Sequence, residues 1–349
     1  MVFFSTFITF LLYKVDMRKL FFFAGAFLFF SCGENLDNES LIAEQSLRVA
    51  QLSEDISKDF LAMESLMQQF QTAVSYCYEN QNDILTQVDA SSYKLSDSGI
   101  MYKDSIADNE AALYVSGVVP ITPAVKRAVY FTEALDSTIV RLVNSSPVIV
   151  QAYYNDANSL NRIYPPFDVL SQYEPKMDIP SYNFYYLADE TNNPERKIVW
   201  VSEPYIDPAG RGWMVSCIGP VYHEDKMVGV PGLDLTVNAI VDKYLKAATD
   251  VIILDQTGTV VAASEKALNL FSLPPLINHR YSETIKSDSF RKDDFNLKNS
   301  KSREIRNVFD QMQDGQESGR FTENNKAYAY VMSKISLLGW YVVGVQELK

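Results

Sequence analysis

Histidine is all but missing from this chain, with 2 in 349 residues, and cysteine and tryptophan number 3 each. His223 falls in a hairpin turn and His279 in a loop, too far apart in sequence and context to suggest a metal site. No Gly-x-Ser-x-Gly, His-Glu-x-x-His, phosphate-loop or dinucleotide fingerprint is present. Acidic residues are plentiful, but no acid and base pair stands out among them. Nothing here points to an enzyme, a metal or a cofactor. Positive charge is also scarce: 31 Lys and Arg stand against 44 Asp and Glu, a formal net charge of −13. Nucleic acid is excluded, because no basic patch is available to meet phosphates. No apolar run reaches the roughly 20 residues that a membrane span needs.

What the chain does have begins at its N-terminus. Lys14, Arg18 and Lys19 precede an apolar run from Leu20 to Phe30, and Ser31 and Cys32 then give way to a polar, acidic stretch. Basic residues, a short apolar segment and a small-residue junction describe an export signal over residues 1–31. Met17, directly before Arg18, suits the true start. Leu28-Phe29-Phe30-Ser31-Cys32 resembles a lipobox, which implies acylation of Cys32 and a lipid-anchored, extracytoplasmic protein. Phe29 and Phe30 are bulkier than the usual pattern. The alternative is an uncleaved anchor helix from Leu20, and it places the rest of the chain on the same side. Gly33 follows the cysteine where an inner-membrane retention aspartate would stand, which leans towards an outer membrane if the cell has two. Cys77 and Cys217 could pair in an exported chain, but no spacing pattern supports it, and both read as small buried hydrophobes.

Neither glycine nor proline interrupts residues 35–82. Val49, Leu52, Ile56, Phe60, Met63, Met67, Phe70, Val74 and Cys77 recur in steps of three and four, the mark of one face of a long helix. That face packs on the protein's own sheets or forms a coiled-coil seam. A second helical pattern runs from Pro123 through Leu142, and strands are expected at Val148–Tyr154, Ile198–Ser202, Gly212–Ile218 and Met227–Leu235. A short helix follows at Asn238–Ala247. Asp255-Gln256-Thr257-Gly258 turns one hairpin, and Gly319–Thr322, Tyr328–Ile335 and Trp340–Val345 supply the last strands. Ser282 to Ser302 is charged and loop-like. The fold class is α+β: a long N-terminal helix over residues 33–82 and two lobes of antiparallel sheet with helices on one side. The larger lobe spans about 83–245, the smaller about 246–349.

The informative segment runs from Trp200 to Leu235. Pro204-Tyr205-Ile206-Asp207, the strand ending Gly219-Pro220-Val221-Tyr222, and Gly229 to Leu235 with Asp234 together resemble the double Cache domain, also called the PDC sensor. The long first helix, Arg162-Ile163-Tyr164-Pro165 and a closing Gly339-Trp340 strand agree, so the resemblance spans nearly the whole chain after the signal. It implies PAS-like lobes and a ligand pocket in the membrane-distal lobe, here the larger one. In members that bind amino acids, an Arg-x-Trp-Tyr motif takes the carboxylate, while Tyr205, Asp207 and Asp234 match the positions that take the ammonium. This chain reads Tyr182-Asn183-Phe184-Tyr185 instead. Phe184 and Tyr185 hold the aromatic places, but Tyr182 replaces the arginine.

A carboxylate without its bidentate guanidinium loses its strongest partner. An ammonium could still meet Asp207, Asp234 and tyrosine faces, so the ligand is expected to contain an amine. Arg162, Arg196 or Lys197 could restore the missing charge from another loop. Each residue also has a structural role open to it: Tyr205 and Asp207 could build a turn, and Asp234 could bond to its own fold. Tyr153, Tyr173 and Phe184 read as core. The expected function is lipid-anchored small-molecule sensing or binding, with any signal passed to a separate partner protein. The rivals are a structural or adhesive envelope lipoprotein with a degenerate pocket and, more remotely, an envelope enzyme. Cys32→Ser is expected to release the protein from membranes or leave it as its precursor. A signal-cleaved mutant that still fractionates with membranes would refute the lipid anchor.

Overall fold

The computed structural model describes residues 32–273 and 295–349. The export signal, His279 and much of the charged stretch from Ser282 lie outside the described residues. Helix α1 (Cys32–Glu79) has 48 residues, about 70 Å of helix. Val49, Ile56, Phe60, Met63, Met67, Phe70, Val74 and Cys77 form one buried line along it. That line packs on the chain's own sheets and joins them in a single core. The short helix α2 (Gln81–Leu85) follows.

Nine strands make the first sheet: β1 (Tyr93–Leu95), β2 (Met101–Lys103), β3 (Ala112–Val115), β4 (Gln151–Asn155), β5 (Leu160–Tyr164), β6 (Val199–Ile206), β7 (Trp213–Ile218), β8 (Val221–His223) and β9 (Lys226–Thr236). Their order is β1-β2-β3-β5-β4-β9-β7-β6, with β8 paired to β9. The second sheet holds β10 (Val251–Leu254), β11 (Val260–Ala263), β12 (Ser318–Glu323), β13 (Lys326–Ile335) and β14 (Trp340–Glu347), in the order β11-β10-β14-β13-β12. All pairings are antiparallel. Asp255 turns the β10–β11 hairpin, its carboxylate accepting from the amides of Thr257 and Thr259. Gly344 of β14 lets α1 lie directly on the second sheet, since a Cβ there would stand 2.6 Å from Val49.

Several elements differ from the sequence pattern. The helix expected through Leu142 is two, α3 (Pro123–Phe131) and α4 (Asp136–Asn144), joined by a tighter turn. Thr132 bonds back to the carbonyls of Ala128 and Val129 at this point, a contact that bends helices. Strand β4 starts at Gln151, later than expected, and polar Asn161 and Arg162 conceal β5 from a hydrophobicity pattern. The expected helix at Asn238–Ala247 is a single turn, Val237–Ile240, followed by a widened π turn. There Lys243 and Tyr244 both reach Asp59 of α1, each at 2.7 Å. Part of the charged stretch is not loop-like, for Phe295 and Leu297 are buried in the second lobe's core.

Helices do not keep to one side. Alternate residues of each strand point to opposite faces, and both faces of both sheets are covered. On the first sheet Leu113, Ala152, Tyr154 and Leu233 face α1, α3 and α4. Ala112, Tyr114, Tyr153 and Val230 face the aromatic stretch after β5, through Tyr173, Met177, Ile179 and Phe184. Cys77 and Cys217 are buried and unpaired. Among the described residues, no helix is long and apolar enough to cross a membrane.

Arg162 is fully buried on the helix side of β5. Its guanidinium donates to Asp136 at 3.0 Å, Thr132 at 2.9 Å and Tyr93 at 3.1 Å, and also to the Val129 carbonyl. Burial raises the Asp136 carboxyl and Arg162 opposes that shift. Removing one member of such a pair strands the other charge, at about 3–5 kcal/mol. Arg162→Met is expected to lose stability of that order in chemical denaturation. Adding Asp136→Leu to the same chain should recover most of the loss, and failure to recover would mean that Arg162 acts through packing alone.

Candidate functional site

The face of the first sheet opposite α1 carries a patch of polar residues in its centre. On β4 the residues that point this way are Gln151, Tyr153 and Asn155. The register sets Gln151 and Ser216 on either side of Asp234, Tyr153 beside Gly232, and Asn155 beside Asn161. Gly232 has room for no side chain, because a Cβ would stand 2.1 Å from the Tyr153 ring. Asp234 sits near the end of β9, between β4 and β7, and is 1% exposed.

A lid closes over this floor. It comprises the chain from Pro165 to Ala188, with short helices at Val169–Gln172 and Asn183–Tyr186. Tyr114 donates to the Glu174 carbonyl at 2.6 Å, and the Gly117 amide donates to Pro175 at 2.8 Å. The Ile179 amide donates to Ser159 Oγ at 3.1 Å. Met177, Ile179 and Phe184 project over the floor, and the cavity left between measures about 20 Å3. That is room for one water molecule.

Three of the sequence-derived site residues line this cavity from the floor or its edge: Tyr205, Asp207 and Asp234. Phe184 lines it from the lid, 5.8 Å from the Tyr153 ring and 5.7 Å from that of Tyr205. Tyr182 and Tyr185 do not line it. Tyr182 stacks on Phe184 at 5.2 Å. Tyr185 is buried with its hydroxyl unpartnered, and Asp156 and Tyr78 are among its electrostatic neighbours. Tyr153, Tyr173 and Phe184, read as core from the sequence, are both core and lining.

Asp234 accepts from Ser216 Oγ at 2.6 Å and from the Gln151 amide. Ser216 has one proton and gives it to the carboxylate, so Tyr205 donates to Ser216 Oγ, at 2.7 Å. Asp207 serves as both turn and lining residue. Its carboxylate accepts from the amides of Ala209 at 2.9 Å and Arg211 at 3.1 Å, with Gln151 Nε2 at 3.4 Å. Burial pushes the Asp234 carboxyl up to about 7; Asp207 adds to the shift, while Ser216 and Gln151 oppose it. Burial raises Asp207 as well.

Among the described residues, no lysine or arginine lines the cavity. Arg162 points to the other face. Arg196 lies over the Tyr222 ring, 3.9 Å from its centre, and Lys197 pairs with Glu195. Arg211 lies outside the lining; its charge opposes the upward shifts of both Asp207 and Asp234, and its guanidinium donates to the carbonyls of Val150, at 3.2 Å, and Pro165. Three polar atoms of the lining residues are buried without a hydrogen-bond partner: Gln151 Oε1, Tyr153 Oη and Asn155 Nδ2. Ser216 and Tyr205 lie near Tyr153 Oη without a well-formed bond to it. Such atoms are costly unless something fills the space beside them. Gln151, Ser216, Asn155 and Asn161 were missed in the sequence. Gln151 and Asn155 gave one signal, polar residues in period two within an apolar strand.

No family model matches the chain, and no curated protein matches its sequence. Solved structures do. The extracellular domain of soHK1S-Z6, assigned as a histidine kinase, is 12% identical, with 90% of this chain and 96% of that one covered at a TM-score of 0.52. The ligand-binding domain of the Pseudomonas fluorescens chemoreceptor CtaA in complex with L-isoleucine is 14% identical, covering 90% and 96% at a TM-score of 0.51. The same domain in complex with L-alanine gives 14% identity and a TM-score of 0.50 over the same shares. With one long helix, two antiparallel sheets and this likeness over nine tenths of its length, the chain has the double Cache fold of sensory domains.

Proposed function

We propose that this protein is an extracytoplasmic, lipid-anchored small-molecule sensing or binding protein, not an enzyme, whose ligand carries a protonated nitrogen. One observation carries the reading. Two buried carboxylates, Asp207 and Asp234, line a small cavity whose lining, among the described residues, holds no basic side chain. A buried carboxyl keeps its proton unless a counter-charge is present, and a ligand ammonium would supply that charge. The aromatic faces of Tyr153, Phe184 and Tyr205 suit a cation as well. The complexes of the CtaA domain with L-isoleucine and L-alanine support a small ligand bearing an ammonium. The absence of a guanidinium from the lining disfavours a free carboxylate.

In this reading the first sheet is the membrane-distal, ligand-binding lobe of about residues 83–245, and the second is the membrane-proximal lobe of about residues 246–349. The contacts of α1 support that order. Its start lies by the second sheet, where Asn38 pairs with Lys349 and Gln45 reaches Asp250. Its far end meets the first, where Gln71 donates to the Pro220 carbonyl. Cys32 is therefore at the second-lobe end of the helix, and an outer membrane is favoured by Gly33 where the cell has two. An acyl anchor does not cross the bilayer, so signalling takes a separate protein that does.

A thermal-shift screen of amines, amino acids and carboxylates is expected to raise the melting temperature only with compounds bearing a protonated nitrogen. Against the best hit, Asp234→Asn should cost about 2–5 kcal/mol of affinity and leave the unliganded protein equally or more stable. A carboxylic acid as sole hit, or an Asp234→Asn protein that melts earlier and binds as before, would turn the reading towards an envelope lipoprotein without a working pocket.

The pH dependence follows from the Asp234 carboxyl, raised from 3.8 to about 7. The folded protein holds that proton more tightly than the unfolded chain. Its contribution to unliganded stability is therefore lost as pH rises between these two values. An ammonium favours the ionised form, so affinity should increase as pH rises through about 7 and then level. Titration calorimetry across that range should show proton release on binding, absent in Asp234→Asn. Affinity independent of pH in the unaltered protein would count against an ionising Asp234 at the ligand.

A further inference from the structure

The cavity is polar at both ends, and only one end is anionic. Gln151 and Asn155 lie four residues apart on one face of β4, about 13 Å along the strand. Asp234 and Asp207 stand with Gln151. At the Asn155 end the groups bonded to the cavity side chains are neutral, Asn161 across the register and Tyr173 from the lid, while the Asp156 carboxylate beside them is taken up by Asn158 and the Leu160 amide in its own turn. The Tyr153 ring, Ile163 and Phe184 line the middle, with the Tyr153 hydroxyl turned towards Ser216 and Asp234.

Hydrogen-bond donors at the neutral end run in one direction. Tyr173 Oη donates to Asn161 Oδ1 at 3.2 Å, and Asn161 Nδ2 donates to Asn155 Oδ1 at 2.7 Å. The series ends on Asn155 Nδ2, which is buried with no acceptor. Asn155 itself is 1% exposed, so bulk water does not satisfy it. A lone donor calls for an oxygen. A carboxylate would lack a cation there, and a second ammonium would set donor against donor.

We infer that the ligand is bipolar: an amine at one end, an uncharged oxygen acceptor (hydroxyl, ether or amide carbonyl) docked on Asn155 Nδ2 at the other, and an apolar spacer between. Amino alcohols and amino amides are the fitting class; diamines and free amino acids are not. The amine end rests on the function proposed above, while the oxygen end rests on Asn155 alone.

The test is titration calorimetry of the purified protein with matched linear alkylamines, amino alcohols and diamines of increasing chain length. At the best length the amino alcohol should bind on the order of tenfold tighter than the alkylamine of equal size, and the diamine should gain nothing. Asn155→Asp keeps an acceptor for Asn161 Nδ2 and replaces the lone donor by an oxygen. With its melting temperature checked, that variant should reverse the order and favour the diamine. Alkylamines or diamines that equal or exceed the amino alcohols at every length in the unaltered protein would overturn the oxygen subsite and leave the ammonium site standing. Failure of every amine to bind would take down the ammonium site and this inference with it.

Discussion

Phe60 stands where the two sheets meet, and the architecture depends on that contact. Its ring lies 4.8 Å from that of Trp200, on the first sheet, and 5.5 Å from that of Trp340, on the second. Trp340 is fully buried, yet its indole N–H reaches the Ser202 carbonyl of the other sheet at 2.9 Å. Trp200 donates in turn to Glu64, one helical turn beyond Phe60. A large aromatic residue buries more area than any other and contributes most where it is wholly enclosed. Each sheet offers an apolar face that it cannot cover alone, and α1 covers both with one stripe. The helix is in this sense the common wall of two half-cores.

The same packing produces the site. Strand alternation sends Leu233 and Leu235 towards α1 and leaves Asp234 on the opposite face. A carboxylate there is held in place by rigid neighbours on β4 and β7, so its position does not depend on loop conformation. The opposing wall is different in kind. The lid is a run of short turns bonded to the sheet at Tyr173, Glu174, Pro175 and Ile179. Asp234 is placed by strands, and its cover by turns.

Much of this was legible in the sequence because it is written in periodicities. The three-and-four stripe from Val49 to Cys77 identifies α1, and the Pro204–Asp207 and Gly229–Leu235 motifs identify the strands that hold Tyr205 and Asp234. The lid and the rest of the floor were not legible. Tyr173 and Phe184 look like core because they are core, and lining a cavity adds nothing to a hydrophobic pattern. Asn161 looks like a loop residue, although it is buried between β4, its hairpin partner, and β3. Arg162 looked available, but its parity on β5 turns it away from the cavity. Residues whose role depends on strand parity and on the strand next door are hidden until the pairing is known.

A cavity with room for a single water has a kinetic consequence. In the proposed reading, a molecule larger than water binds here only once Met177, Ile179 and Phe184 move off the floor. Apparent affinity is then the intrinsic affinity reduced by the fraction of molecules with the lid withdrawn. The observed association rate would approach the opening rate at high ligand concentration and stop rising with it. A lid substitution that loosens the packing of Phe184 on Tyr182 could thus tighten apparent binding without touching the ligand. In that reading sensitivity is set from the lid, and selectivity by the strands beneath.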